Sequence, residues 1–198
     1  MKTSNITLKI APSGRLDAPQ AARHLVQRSA SYMRTLILSV LLFFTCVSAR
    51  ASEPLTNGGI VLLQPDFVLQ ERVPNVEAFA AYISAVEGAG RAALVESKQR
   101  SASGGFIVVA VRPGAKSKVW LDFKPPLPLE LKASLISKIQ SVSPFSARSG
   151  PVVFAIKASI WGGALRQDMP SPIEWQAVSR KAGRPLEIGD LVERVWSE

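Results

Sequence analysis

The alternation of apolar and polar positions along the 198-residue chain changes period several times, and each change predicts an element. Leu36–Val47 is one largely apolar block, too short to cross a bilayer, which takes about 20 apolar residues. Ser52–Gly59 is polar and glycine-bearing and reads as a loop. Gly59–Leu63 and Phe67–Leu69 are short apolar runs around Gln64-Pro65-Asp66, compatible with a hairpin or with one broken strand. From Pro74-Asn75 the period becomes helical. Val76, Phe79, Ala80, Ile83 and Val86 form one stripe, Asn75 is a suitable N-cap, Glu77 lies in the first turn, and Gly88-Ala89-Gly90 is the expected stop. Arg91–Ser97 has no decisive period, and Lys98–Gly105 reads as a loop.

The clearest strand is Phe106–Val111, a continuous β-branched run. Pro113-Gly114 supplies a bend, and Lys118–Phe123 returns as the second arm of a hairpin, with Val119, Leu121 and Phe123 on one face and Trp120 and Asp122 on the other. Pro125–Pro128 ends that strand. A helix is predicted over Leu129–Val142, with Leu131, Leu135, Ile139 and Val142 on one face and Ile136 beside it. Gly150-Pro151 precedes a long strand, Val152–Trp161, whose apolar face is Val152, Phe154, Ile156, Ala158 and Ile160 and whose wetter face carries Lys157 and Ser159. Ser171 and Glu174 have capping-box spacing with Pro172 at the first helical position, and Gly183 ends that helix. Leu186–Trp196 is a last amphipathic segment. These elements predict a single α+β domain over 52–198, a small antiparallel or mixed sheet of three to five strands with helices packed on one face.

The flanks of the first apolar block change its meaning. Met33-Arg34 stands before it and Ala49-Arg50-Ala51 after it. A positive head, a short apolar core and small residues at −3 and −1 make 33–51 a secretory signal peptide, with Ala49 and Ala51 before a cut and Ser52 after it. An uncleaved anchor is the alternative, and membrane contact would then run through this segment alone. Residues 1–32 are basic and acid-poor. They read as a mis-annotated leader before a true start at Met33, as a long positive head or as a transit segment, and the strongly apolar core argues against the last. They are given no fold. The expected location is periplasmic or secreted.

The leader also distorts the charge. The whole chain carries +9, but residues 52–198 hold seventeen Lys/Arg and fourteen Asp/Glu, a net of +3. No basic run is interleaved with aromatics, so nucleic acid is not an expected partner. The single Cys46 and the single His24 both lie before residue 52. Without them the domain has no disulfide, no Cys or His nucleophile chemistry, no Ser-His-Asp triad and no His/Cys zinc site. No Walker A, dinucleotide fingerprint, G-x-S-x-G elbow or S-x-x-K motif occurs, and no cofactor is expected.

Gly105, Pro113-Gly114, Leu135, Pro144 and Gly150-Pro151-Val152 set out strand, turn, strand, helix and a Pro…Gly-Pro-Val lead-in to a long strand. In this Gly105–Gly163 resembles the C-terminal domain of TonB-type energy transducers, although no Pro-rich spacer accompanies it. The resemblance implies a small periplasmic α+β domain that docks a partner strand along its sheet edge.

Three functions follow as expectations. The leading one is a non-enzymatic binding module of the bacterial cell envelope, holding an envelope protein or peptide at a sheet edge or on a face formed by Trp120, Asp122 and Trp161. A second is a cell-envelope hydrolase using carboxylates such as Asp122 and Glu130. Nothing in the spacing sets a distance between these two, so the favoured reading is a solvated strand residue and a helix-terminal charge. A third is a carrier of small apolar ligands, which needs an enclosed apolar pocket. Ser103-Gly104-Gly105 reads as a connector rather than an oxyanion loop. Edman degradation of the exported product is expected to begin at Ser52; a product beginning upstream would rule out the cut.

Overall fold

The computed structural model describes residues 52–197, so the signal segment, including Ala49 and Ala51, lies outside the described residues. In chain order the elements are β1 (Leu55–Leu62), α1 (Asp66–Arg72), α2 (Val76–Glu96), β2 (Ser103–Arg112), β3 (Lys116–Lys124), α3 (Leu129–Gln140), β4 (Val152–Ile160), α4 (Ile173–Ala182) and α5 (Ile188–Ser197). The four strands form one sheet in the order β1-β4-β2-β3, antiparallel throughout. The fold class is α+β, with the expected β2–β3 hairpin running from Gly104↔Lys124 to Arg112↔Lys116.

The sheet has a core on each side. Ile107, Val109, Leu121, Phe154 and Ile156 point to face A, where Tyr82, Val86 and Leu94 of α2 and Leu131, Leu135 and Ile139 of α3 cover them. Phe79 and Tyr82 meet the Phe154 ring edge-on at 5.1 and 6.3 Å. Phe106, Val108, Ala110, Trp120, Val153 and Ala155 point to face B, beneath Trp175 and Val178 of α4 and Leu191, Val192 and Val195 of α5. Helices on one face only is therefore corrected to helices on both. The physical reason is that β2 and β4 have almost no polar side to offer water: Ser103 to Val111 are all buried, and in β4 only Lys157 is not.

Other differences have local causes. β1 begins within the stretch read as loop. It is an edge strand whose residues 56–60 face solvent, so it needs no apolar alternation, and a bulge between Asn57 and Gly59 absorbs the extra glycine. Phe67–Leu69 is helical, not extended. Asp66 and Arg72 sit at the ends that suit the dipole, and Phe67 is 71% exposed rather than core. Helix α2 starts as read, with Asn75 Oδ1 accepting from the Ala78 N–H at 2.7 Å, but Val76 is exposed and the helix runs on through both glycines to Glu96. Gly90 is buried against the sheet: a Cβ there would lie 3.3 Å from Leu55 and 3.8 Å from Ile107. It is a packing glycine, not a stop. Ser171 makes no side-chain cap; Pro172 occupies the N-cap of α4.

Gly104 fixes where the segment after β4 can lie, since a Cβ on it would fall 1.6 Å from the Ala164 carbonyl oxygen. Gly104→Ala is expected to cost about 3 kcal/mol, as overpacking against backbone. Gly88, helical with nothing within 4 Å of a Cβ, is the control, and Gly88→Ala is expected to gain about 0.5–1 kcal/mol. Urea midpoints at unchanged m-value check both.

Candidate functional site

The sheet has two edges, and they differ. β1 is met by α2 at its first residues, where Arg91 Nη2 donates to the Leu55 carbonyl at 3.4 Å and Asn57 Nδ2 donates to Glu87 Oε1 at 2.5 Å. β3 also pairs with one neighbour only, so its outer N–H and C=O groups have no strand partner. Yet its side chains Val119 to Leu121 and Phe123 are buried, because α3 from face A and α4 from face B rise on either side of it. Between these walls run two clefts. The larger, about 500 Å³, is lined by Lys118, Val119 and Trp120 of β3, Ile136 and Gln140 of α3, Glu174 and Ala177 of α4, and Val195. The smaller, about 260 Å³, is lined by Leu121, Asp122 and Phe123, Pro126, Leu127, Lys132 of α3, Ser171, Ile173 and Gln176. Six consecutive β3 residues thus form the floor of one groove. Lys132 and Glu174, an ion pair at 3.5 Å, cross it where the clefts meet. A more voluminous opening, about 560 Å³, lies between α4 and α5, but its walls are helix residues alone. It offers a ligand no strand edge.

The groove's walls are fastened at both ends. Lys118 Nζ donates to the Val195 carbonyl at 2.7 Å, tying α5 to β3, and lies 5.8 Å from the Trp120 ring centre. At the other end Arg166, in the segment after β4, is drawn over the Phe106 ring at 5.3 Å. Its Nη1 donates to Asp122 Oδ1 at 2.6 Å, and its Nε and Nη2 take Asp168 bidentately. Asp122 Oδ2 accepts the Ser171 N–H at 2.7 Å. Both Asp122 oxygens are committed, and they hold the start of α4 to β3.

The residues expected at a binding face do not form one. Trp120 is 3% exposed and meets Trp175 edge-on, with ring centres 5.5 Å apart; its indole is core beneath α4. Trp161 packs against the face A cluster instead. Strand alternation assigns it to face B, but its φ of 48° ends the strand in the left-handed region and breaks the alternation. Arg100 lies over its ring at 4.8 Å. The shared Trp120/Trp161 surface is therefore corrected. Of the three, Asp122 alone lines the smaller cleft, and there it acts as a staple. Glu130 lines a different cleft, beside Glu96 and Ser97, so Asp122 and Glu130 do not share one. Ser103-Gly104-Gly105, read as a connector, is instead the buried start of β2, and the Ser103 hydroxyl donates to the Pro125 carbonyl at 2.6 Å. Both groove clefts have charged walls, unlike the enclosed apolar pocket that a lipid-type carrier requires. Among the described residues no group of three or more His, Cys, Asp or Glu could hold a metal ion, and no helix is long and apolar enough to cross a membrane.

No local pattern in the sequence marks Lys132, Glu174 or Arg166 as groove residues. The pair lies 42 positions apart on two amphipathic helices, and no local signal joins them. Arg166 carries only the R-x-D spacing to Asp168. The hydrogen bond from Arg166 holds the Asp168 carboxyl below the usual carboxylate range. Arg166 in turn is held above its ordinary value, first by the bond to Asp168, against desolvation, with Asp122 adding to it.

Arg166→Met leaves Asp122, whose side chain is only 12% exposed, without its cation, and is expected to cost about 2–3 kcal/mol at neutral pH. Asp168 titrates lower folded than unfolded, so its share of stability is complete above the ordinary carboxylate range. That share is lost as pH falls through the lowered folded value, and the gap between wild type and variant should narrow below about pH 4. Urea melts at neutral pH and near pH 3 check this. No gap at neutral pH contradicts the staple, and an equal gap at both contradicts the share assigned to Asp168.

Compared with known proteins, the chain matches no family model, and no curated protein and no solved structure is similar to it.

Proposed function

We propose that the chain is an exported binding module of the bacterial cell envelope. It holds an extended segment of a partner protein as an added strand against β3, between α3 and α4. The observation that carries this reading is the groove itself: a strand edge with no second strand neighbour forms its floor, and helices from opposite faces of the sheet form its walls. Strand addition needs these parts, since the backbone ladder supplies affinity and the side clefts receive alternate side chains of the guest. On β1 the register shifts between Asn57 and Gly59, and an interrupted edge is a poorer template for an added strand. The signal-like pattern of 33–51 supports a location in the envelope or outside it, and the mild charge of the domain fits a protein partner better than a polyanion.

A photoreactive residue at Gln140 or Gln176, one in each cleft, is expected to cross-link the exported protein to an envelope polypeptide in living cells. Gln70, exposed on α1, serves as the control position. Ala177→Trp fills the larger cleft and should cut the Gln140 adduct about tenfold, a loss near 1.4 kcal/mol of binding. Adducts from Gln70 alone, or an Ala177→Trp adduct of unchanged yield, count against the groove.

A further inference from the structure

We infer that Glu174 selects a lysine or arginine side chain on the segment bound in the β3 groove, and that Lys132 stands in for that cation in the free protein. This rests on the groove reading above. Glu174 sits where the two clefts meet. Its Oε1 lies 3.5 Å from Lys132 Nζ, longer than the 2.7–2.9 Å of a good charge-assisted hydrogen bond, by about 0.6 Å or more. Its Oε2 is buried and has no hydrogen-bond partner. An acceptor removed from water and left without a donor is costly, more so on a charged group. The free chain therefore carries an incomplete arrangement that a donor from outside would complete.

The surroundings restrict that donor. The two side chains are 31% and 41% exposed, so a long cationic side chain entering from solvent reaches the Glu174 carboxylate, and a turn of that carboxylate brings Oε2 out to it without disturbing the core. An incoming carboxylate would meet an acid at Glu174, while Lys118 at the far end is already bonded to Val195. An added strand turns successive side chains to opposite faces. If its cation points to α4, its neighbours on either side point to α3, where Ile136 offers apolar surface in the larger cleft. The guest pattern is thus apolar–cation–apolar. Lys132 has the reach and charge of that guest side chain but approaches from α3, which is why its fit is long.

The test uses the purified exported protein and two dye-labelled, end-blocked nonapeptides. Both have valine at even and threonine at odd positions; one has lysine at the centre and the other glutamine. Wild type is expected to bind the lysine peptide about fivefold more tightly, the upper range for a partly exposed pair. Glu174→Gln should bring the two peptides to within about twofold, and Lys132→Met should tighten the lysine peptide about twofold or more by removing the competitor. Equal binding by wild type, or a preference that survives Glu174→Gln, overturns the inference and leaves the groove reading standing. No tightening in Lys132→Met overturns the stand-in role of Lys132. Binding of neither peptide up to about 1 mM, some 4 kcal/mol, overturns the inference and the groove together.

Discussion

Double burial of β2 and β4 is the constraint on which the rest depends. Paired in register from Ser103↔Ile160 to Val111↔Val152, the two strands present apolar side chains to both faces, and neither face tolerates water. One helical layer would leave Phe106, Val108, Val153 and Ala155 exposed. The chain therefore supplies α2 and α3 on one side and α4 and α5 on the other. This leaves the polar chemistry little place to go except the margins of the sheet, where the strands have one neighbour and the helical layers end.

Much of this was legible. The unbroken run Phe106–Val111 is itself a sign of burial on both faces, since a half-solvated strand alternates. The hairpin, the Asn75 cap, α3 and β4 follow from period and turn chemistry that the tertiary fold does not override. What failed has a common cause. At β1 and α1 the burial that makes hydrophobic patterns informative is absent: an outer strand facing water can be Thr-Asn-Gly-Gly, and an exposed helix can carry Phe67 outward. Gly90 failed for the opposite reason. Contact with Leu55 and Ile107, distant in sequence, decided it against local propensity.

The site was legible only as a place. A sheet edge was the expected place, and the structure sets α3 and α4 on either side of one edge, β3, while α2 meets the first residues of the other. The residues that give β3 its character arise from pairs remote in the chain. Lys132 meets Glu174 because α3 and α4 cover opposite faces and overhang the same strand. Asp122 meets Arg166 because Gly104 lets the segment after β4 cross the end of the sheet. Spacing along one sequence encodes neither. Trp161 shows the limit most directly, for a single left-handed residue moved its ring to the other core.

Trp120 has a function other than contact. Its ring meets Trp175 edge-on, a geometry that aromatic quadrupoles favour and that fixes separation as well as affinity. Trp175 is the next residue after Glu174, so the depth at which it seats on Trp120 sets how far Glu174 stands from α3. Arg166 and Asp122 act on the same helix from its start, through the Ser171 N–H. The position of α4 is thereby determined twice, once by an apolar contact at its first turn and once by an ionic staple just before it. A groove walled by two helices that do not belong to the same layer needs this. Its width would otherwise follow every slide of α4 over face B, and a strand edge of constant backbone geometry would lie in a groove of variable size.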